Sequence, residues 1–283
     1  MEIISWVAVA IMILLPLLSF IKKFPVSNAI VISNIIVFLL TFYHIPLKDL
    51  AFRPSYLLTS KIYTIFTSMF LHGDFYHIFF NMLGLIFIGF PLEQEIGAKK
   101  FALVYFISGF FAAIIFSLVN GGNSYLIGAS GAIFGILGAF AAAYPFKRIA
   151  VPLFMPIILF LRLPVIVVAL LYAGIETLYT FSGVTDGIAH SAHVGGFIAG
   201  VFLSPLIKVK IEPHERKFSM DDFEPFIENE RQRRILERAR EADEKEVRDA
   251  WLSYLLKDLK CPKCGGGIEI KNGVHCKRCG YGK

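Results

Sequence analysis

Seven stretches of this chain stay apolar for about the thickness of a bilayer and carry almost no charge: 3–20, 27–45, 74–92, 100–120, 127–144, 163–181 and 187–206. Roughly 20 apolar residues rising 1.5 Å each cover a hydrocarbon core of about 30 Å, so each stretch predicts a transmembrane helix. A shorter apolar run at 149–161 contains Pro152 and Pro156 and predicts a connector at the membrane interface. The first stretch lacks a basic leader and a small-residue cleavage site, and Lys22 and Lys23 follow it, so it reads as a retained span. Beyond 207 the pattern turns polar. Residues 219–260 predict one helix, capped by Ser219 or Asp221, with only a thin apolar stripe through Ile235, Leu236, Ala239, Trp251 and Leu255.

Composition sharpens this division. The 283 residues are 56% hydrophobic and 18% charged, whereas a soluble domain is about a quarter charged. Residues 1–207 hold only 10 of the 28 Lys/Arg and 7 of the 22 Asp/Glu. A soluble two-domain enzyme, a disordered chain and a disulfide-stapled secreted chain are all excluded. The net charge of +6 does not mark a nucleic-acid binder, because the basic residues sit in pairs between apolar stretches. Lys22/Lys23, Lys99/Lys100, Lys147/Arg148 and Lys208/Lys210 fall on one side if seven spans alternate, which places the N-terminus outside and the tail in the cytoplasm. The expected location is the cell membrane, multi-pass. The long outer loop at 46–73 carries Phe52, Tyr56, Leu57 and Phe66 and is expected to dip into the interface.

A strongly polar residue at bilayer depth costs about 2.5–3.5 kcal/mol on insertion scales, so each one calls for a reason. Those in the spans are Asn34, His77, Asn81, Ser130, Glu176, His190 and His193. His77 and Asn81 are four apart and share a helix face. Ser130 sits among small neighbours in Gly128-Ala129-Ser130-Gly131, and His193 in Ala192-His193-Val194-Gly195-Gly196. With alternating spans, Ser130, His193 and the His77/Asn81 pair lie toward the outer surface. The set meets the needs of acyl transfer. A hydroxyl becomes a nucleophile when an imidazole takes its proton, and the tetrahedral intermediate needs donors for its oxyanion. Gly131-x-x-x-Gly135 and Gly196-x-x-x-Gly200 would let the two backbones approach closely. Taken singly, the G-x-S-G run fits helix packing, and His77/Asn81 fit an interhelical pair. The four histidines His72, His77, His190 and His193 also admit a metal-site reading, although H-E-x-x-H is absent. Asn34 is read as interhelical glue, and Glu176 as a carboxyl bonded to a neighbouring helix.

Together these motifs resemble the rhomboid family of intramembrane serine proteases over about residues 27–207. The resemblance rests on His72-x-x-x-x-His77-x-x-x-Asn81, Gly128-x-Ser130-Gly131 and Ala192-His193-x-x-Gly196-x-x-x-Gly200. It implies Ser130 as nucleophile, His193 as general base in a Ser–His dyad without a carboxylate, and His77, Asn81 and the Ser130 N–H as oxyanion donors. It further implies support from Phe134 stacked on the histidine and from Gly128 and Gly131, with His190 and His72 as accessory candidates. One departure is visible. Where family members often carry Trp-Arg in the outer loop, this chain reads Tyr63-Thr64.

The expected architecture is an all-α polytopic membrane protein. It comprises an extra N-terminal span and basic linker (1–26), a six-helix core (27–207), a charged helical linker (208–260) and a small ribbon (261–283). Cys261-x-x-Cys264 and Cys276-x-x-Cys279 have the spacing of a Cys₄ structural zinc site, and no cofactor is expected for catalysis. The expected function is a serine endopeptidase that cleaves single-pass transmembrane proteins near the outer face of the lipid bilayer, with the long loop or the sixth span moving as a gate. A catalytically silent relative that binds and sorts membrane helices is the alternative. A protein or nucleic-acid partner is expected for the ribbon.

Overall fold

The computed structural model describes residues 2–122, 124–154, 158–183, 187–207, 218–242, 245–270 and 273–282. Pro156 and the Lys208/Lys210 pair of the sequence argument lie outside these. The chain divides into two compact units, Met1–Val209 and Lys210–Lys283.

The first unit is a helical bundle. Its helices are α1 (Ile3–Lys22), α2 (Val26–Thr41), the short α3 (Leu47–Leu50) and α4 (Thr64–Ser68), α5 (Phe75–Gly84), α6 (Phe90–Ile96), α7 (Ala98–Asn120), α8 (Ser130–Ala143), α9 (Val165–Ser182) and α10 (His190–Ile207). A wide π-type turn at Leu85–Gly89 joins α5 to α6, so that Phe75–Ile96 runs on as one span. Among the described residues, five helices are long and apolar enough to cross a membrane: α1, α5–α6, α7, α9 and α10. Two of the seven expected spans are shorter: α2 has 16 residues and α8 has 14. At 1.5 Å per residue, α8 extends only about 21 Å, well short of a bilayer core. Its start is delayed because Gly128 has φ +113°, a left-handed-side conformation that interrupts the helix just before Ser130.

Side chains such as Leu39, Leu118, Leu170, Phe181 and Phe202 are exposed on this bundle, which suits lipid and not water. The extra helix α1 lays Ser5, Ala8, Met12, Pro16 and Ser19 against the bundle, a single stripe at helical spacing. Its first turn is tied to α3, where Asp49 accepts from the Glu2 N–H and the Ser5 hydroxyl. At its other end, Glu93 in the middle of α6 reaches the start of α2 and accepts from the N–H groups of Val26 and Ser27, both at 2.7 Å. A carboxylate from another helix thereby caps donors that Pro25 could not serve.

The run at 149–161 is not a bare connector. It forms an antiparallel ribbon, β1 (Arg148–Phe154) with β2 (Ile158–Pro164), in register from Arg148–Pro164 to Phe154–Ile158. Pairing satisfies the backbone polar groups of a segment too short to make a spanning helix. The loop at 46–73 is built rather than free. Phe52 pairs with Leu126 through the backbone, Thr67 donates to the Leu50 carbonyl at 2.6 Å, and the Gly128 N–H donates to Ser68 at 2.9 Å.

The second unit departs from the expected continuous helix. A 3₁₀ segment at Met220–Phe226 precedes α11 (Glu230–Glu241) and α12 (Lys245–Asp258). Ser219 does cap its start, in a reciprocal capping box with Asp222. Pro225 and a fresh cap at Asn229 then break the chain before α11. α11 and α12 pack on each other and on the ribbon strands β3 (Ile268–Ile270) and β4 (Val274–Cys276). Phe223, Phe226, Leu236, Leu255, Ile268 and Val274 share one core, so the thin stripe is the buried face of a small domain.

Candidate active site

Ser130 is the first residue of α8, where the opening N–H groups have no carbonyl within the helix to bond. A helix start is a site of partial positive charge, suited to an anion. Its Oγ lies 2.7 Å from Nε2 of His193 on the first turn of α10. Phe134, one helical turn beyond Ser130, stacks on the His193 ring at 4.6 Å with planes 9° apart. The imidazole is thus held from its face and by one edge.

The approach of α8 to α10 depends on glycine. A Cβ on Gly196 would overlap the Gly131 carbonyl, and one on Gly200 the Gly135 carbonyl. A Cβ on Gly131 would come 2.6 Å from that of Ala112 on α7. Real Cβ atoms do not tolerate such contacts, so the small-residue stripes set the spacing that lets serine meet histidine. Ser191 is tied to Asn120 at the end of α7 by a 2.5 Å hydrogen bond, which anchors the first turn of α10.

His77 stands on α5, whose start is capped by Asp74 accepting from the His77 N–H at 2.9 Å. The Gly73 N–H makes a long bond, 3.4 Å, to His77 Nδ1. Accepting at Nδ1 leaves Nε2 as the protonated nitrogen and therefore a donor. That edge of the ring lies against Gly128, where an added Cβ would come 2.9 Å from Cε1. The glycine and its positive φ are both required there. Asn81 directs its amide N–H back to the His77 carbonyl at 2.7 Å, which leaves one amide hydrogen for a ligand. His72 is fully buried and packs edge to face on His77, ring centroids 4.8 Å apart. Asn34, expected to bond between helices, donates to the Ile30 carbonyl of its own helix and also faces the buried Tyr105 hydroxyl of α7.

A cavity of about 750 Å³ opens onto this group, with His77, Asn81, Ser130, Phe134, Tyr172 and His193 in its wall. Five residues read from the sequence, His77, Asn81, Ser130, Phe134 and His193, are therefore brought to one place, and Tyr172 joins them. Glu176 bonds to a neighbouring helix as expected, and the partners it finds there belong to the site. Glu176 on α9 places Oε2 2.6 Å from His190 Nδ1 and 2.9 Å from His193 Nδ1, so a carboxylate does adjoin the histidine. The expected dyad lacking a carboxylate thus has one at its back. The sequence signal was present, since a lone acid in an apolar span is costly, but its partners lie 14 and 17 residues away on another helix. The outer loop holds an arginine at another position. Arg53, upstream of Tyr63-Thr64, stands over the rings of Tyr56 and Tyr125 at 5.2 and 5.5 Å.

The sequence profile of the Rhomboid domain matches residues 59–209, just over half of the chain. The chain belongs to the rhomboid family. RHOMBOID-like protein 1 of Arabidopsis thaliana is 34% identical over 149 residues, half of this chain and 34% of its own length. Rhomboid-like protease 1 of Toxoplasma gondii is 32% identical over 85 residues, covering 30% of this chain and 29% of that protein. Inactive RHOMBOID-like protein 8 of Arabidopsis thaliana is 36% identical over 83 residues, 29% of this chain and 23% of its own. The chain spans about a third of the length of the first of these relatives and less of the others. With its apolar helices, membership makes this rhomboid a multi-pass membrane protein.

Two groups of side chains have metal-ligand chemistry among the described residues: Cys261, Cys264, Cys276 and Cys279, and Glu176, His190 and His193. Three of the sulfur pairs lie 3.4–3.6 Å apart, and all four sulfurs lie within 4.8 Å of one another. That is far beyond the disulfide length of about 2.05 Å. It is close to the roughly 3.8 Å that separates sulfurs on a tetrahedral zinc with bonds of about 2.3 Å. The Cys279 backbone N–H, together with that of Arg278 at 3.3 Å, holds the Cys276 thiol down to about 6. His275 lies beside Glu269, outside the cysteine group.

Proposed function

We propose that this rhomboid is an intramembrane serine endopeptidase acting on transmembrane protein substrates. The observation that carries the reading is the 2.7 Å approach of Ser130 Oγ to His193 Nε2 in the wall of a cavity, at the start of a helix too short to span the bilayer. Ser130 attacks the scissile carbonyl as His193 takes its proton. The Ser130 N–H, the His77 Nε2–H and the free amide hydrogen of Asn81 receive the oxyanion. The histidine then protonates the leaving amine, and a water molecule activated by the same imidazole releases the acyl-enzyme. No cofactor is required for these steps.

The basic pairs Lys22/Lys23, Lys99/Lys100 and Lys147/Arg148 support an orientation with the cavity toward the extracellular face of the cell membrane and the tail in the cytoplasm. The sulfur spacing supports a structural zinc in the tail, held by Cys261, Cys264, Cys276 and Cys279. The exposed Lys263, Lys277 and Arg278 beside it suit a protein or nucleic-acid partner. A second reading, a silent helix-binding rhomboid, is favoured by the name of one relative, Inactive RHOMBOID-like protein 8. A binder has no need of a serine within hydrogen-bond reach of an imidazole.

The two readings separate with a fluorophosphonate probe on detergent-solubilised protein. The protease reading expects labelling of the wild type that is lost in both Ser130→Ala and His193→Ala. Equal background labelling in all three folded proteins would establish the silent reading.

A further inference from the structure

Glu176 is a carboxyl in the middle of an apolar span, and its side chain is only 13% exposed. Such a group persists at this depth only with partners that match its charge. It has two imidazoles. Oε2 lies 2.6 Å from His190 Nδ1 in a hydrogen bond, which fixes one side of the carboxylate. The same oxygen lies 2.9 Å from His193 Nδ1 but off the line of that N–H, and Nδ1 is buried with no straight hydrogen bond. The histidine thus presents Nε2 to Ser130 and Nδ1 to a carboxylate. When Nε2 receives the Ser130 proton, the ring becomes a cation in a place where His193 is 7% exposed. A buried cation without a counter-charge is strongly disfavoured, whereas a carboxylate within 3 Å matches it.

These three side chains could also be read as metal ligands. The spacing argues against that. Two ligand atoms on a tetrahedral zinc, each about 2.1 Å from it, lie roughly 3.4 Å apart. The 2.6 Å contact with His190 is that of a direct hydrogen bond, and the 2.9 Å contact with His193 is a close ion-pair distance; both are shorter than a shared zinc would leave them.

We propose that Glu176 is a positioning residue for the proteolytic reaction, held by His190, that orients His193 through Nδ1 and balances the imidazolium formed when Ser130 gives up its proton. The centre then works as a Ser–His–Glu triad with members on α8, α10 and α9. His190 acts one step further out by keeping the Glu176 carboxylate turned toward His193. The inference rests on Ser130 and His193 being nucleophile and base.

The test compares wild type, Glu176→Gln, Glu176→Asp and Ser130→Ala in full-length protein. It measures the rate of fluorophosphonate labelling and the cleavage of a single-pass transmembrane substrate in liposomes. Glu176→Gln keeps the shape and removes the charge. Its labelling rate and kcat should fall on the order of 10²-fold, with KM within about threefold of wild type. Glu176→Asp, which restores a charge one methylene shorter, should recover at least tenfold of that loss. Thermal unfolding of each variant identifies any that fail to fold, and Glu176→Asp then carries the comparison. A Glu176→Gln rate within twofold of wild type, with labelling still abolished in Ser130→Ala, overturns the role of Glu176 and leaves the protease reading intact. Wild-type labelling no stronger than that of Ser130→Ala overturns both.

Discussion

At the scale of single residues, glycine and imidazole together set the chemistry. Gly196 and Gly200 face carbonyls of α8 at distances that admit no side chain, whereas Gly174 on α9 has open space around it. Gly196→Ala should therefore drive the helices apart, costing on the order of 1–3 kcal/mol, and should abolish serine labelling. Gly174→Ala should leave labelling unchanged and match or exceed wild-type stability, because alanine is the better helix former. Thermal unfolding of the two variants side by side checks both. The glycine pattern was legible in the sequence as small-x-x-x-small faces. The reason Gly128 must be glycine was not, since its positive φ and the closeness of the His77 ring exist only once α5 and α8 are packed. The same holds for the tautomer of His77, which follows from a Gly73 N–H four residues earlier in the chain.

At the scale of elements, helix ends are finished by residues from elsewhere. Glu93 closes the start of α2 across 66 and 67 positions of sequence. Its replacement by alanine strands two buried N–H groups. Each charge-assisted bond is worth about 1.5–3 kcal/mol, so Glu93→Ala should be among the more damaging substitutions distant from the cavity. The expected result is a lowered unfolding midpoint, with no fluorophosphonate labelling at temperatures where the wild type still labels. Asp74→Ala removes a local cap, a loss of about 1 kcal/mol. That cap also sets the first turn of α5 on which His77 stands, so its effect on labelling should exceed its effect on stability. Helix α9 is different. Its buried residues are Val165, Val168 and Ala169, all in the first two turns, so its later half depends on Tyr172, Glu176 and Tyr179 for contact with α8 and α10. Of the elements, the seven apolar helices were readable because burial in lipid demands long apolar runs. The β1–β2 ribbon was not, because a short apolar run fits strand, helix or connector equally.

At the scale of the whole molecule, two units with separate cores respond to different treatments. The tail unit contains four cysteines and one of the two tryptophans, Trp251, which lies under Arg238 at 5.1 Å. In a Trp6→Phe variant, chelation should shift the Trp251 emission to the red as the tail core opens, and zinc should restore it. Serine labelling should be unaffected, since the Ser130 site lies wholly within the first unit. Acid should act like chelation. Metal ligation requires thiolates, and protons compete for them as pH falls. Cys276 is held low, to about 6, so it still offers a thiolate as the pH falls toward mildly acidic values, where protons begin to compete for it. A red shift confined to pH above neutrality would contradict the cysteine assignment.

What the sequence by itself determined is whatever costs free energy to place wrongly. Charged and polar residues are expensive in an apolar stretch, so Ser130, His77, Asn81, His193 and Glu176 stood out one by one. Paired cysteines at metal spacing were as plain, and the motifs around the serine and histidine were specific enough to indicate a family. The tertiary structure decided which of these residues meet. It put Glu176 behind His193, although the sequence reading had assigned the histidine no carboxylate. It joined the thin stripe of 219–260 to the cysteine ribbon in a single core, and it ended α8 short of a full span so that Ser130 opens the helix. These outcomes depend on helix packing between distant segments, where a few ångströms of approach are set by side chains that no local pattern brings together.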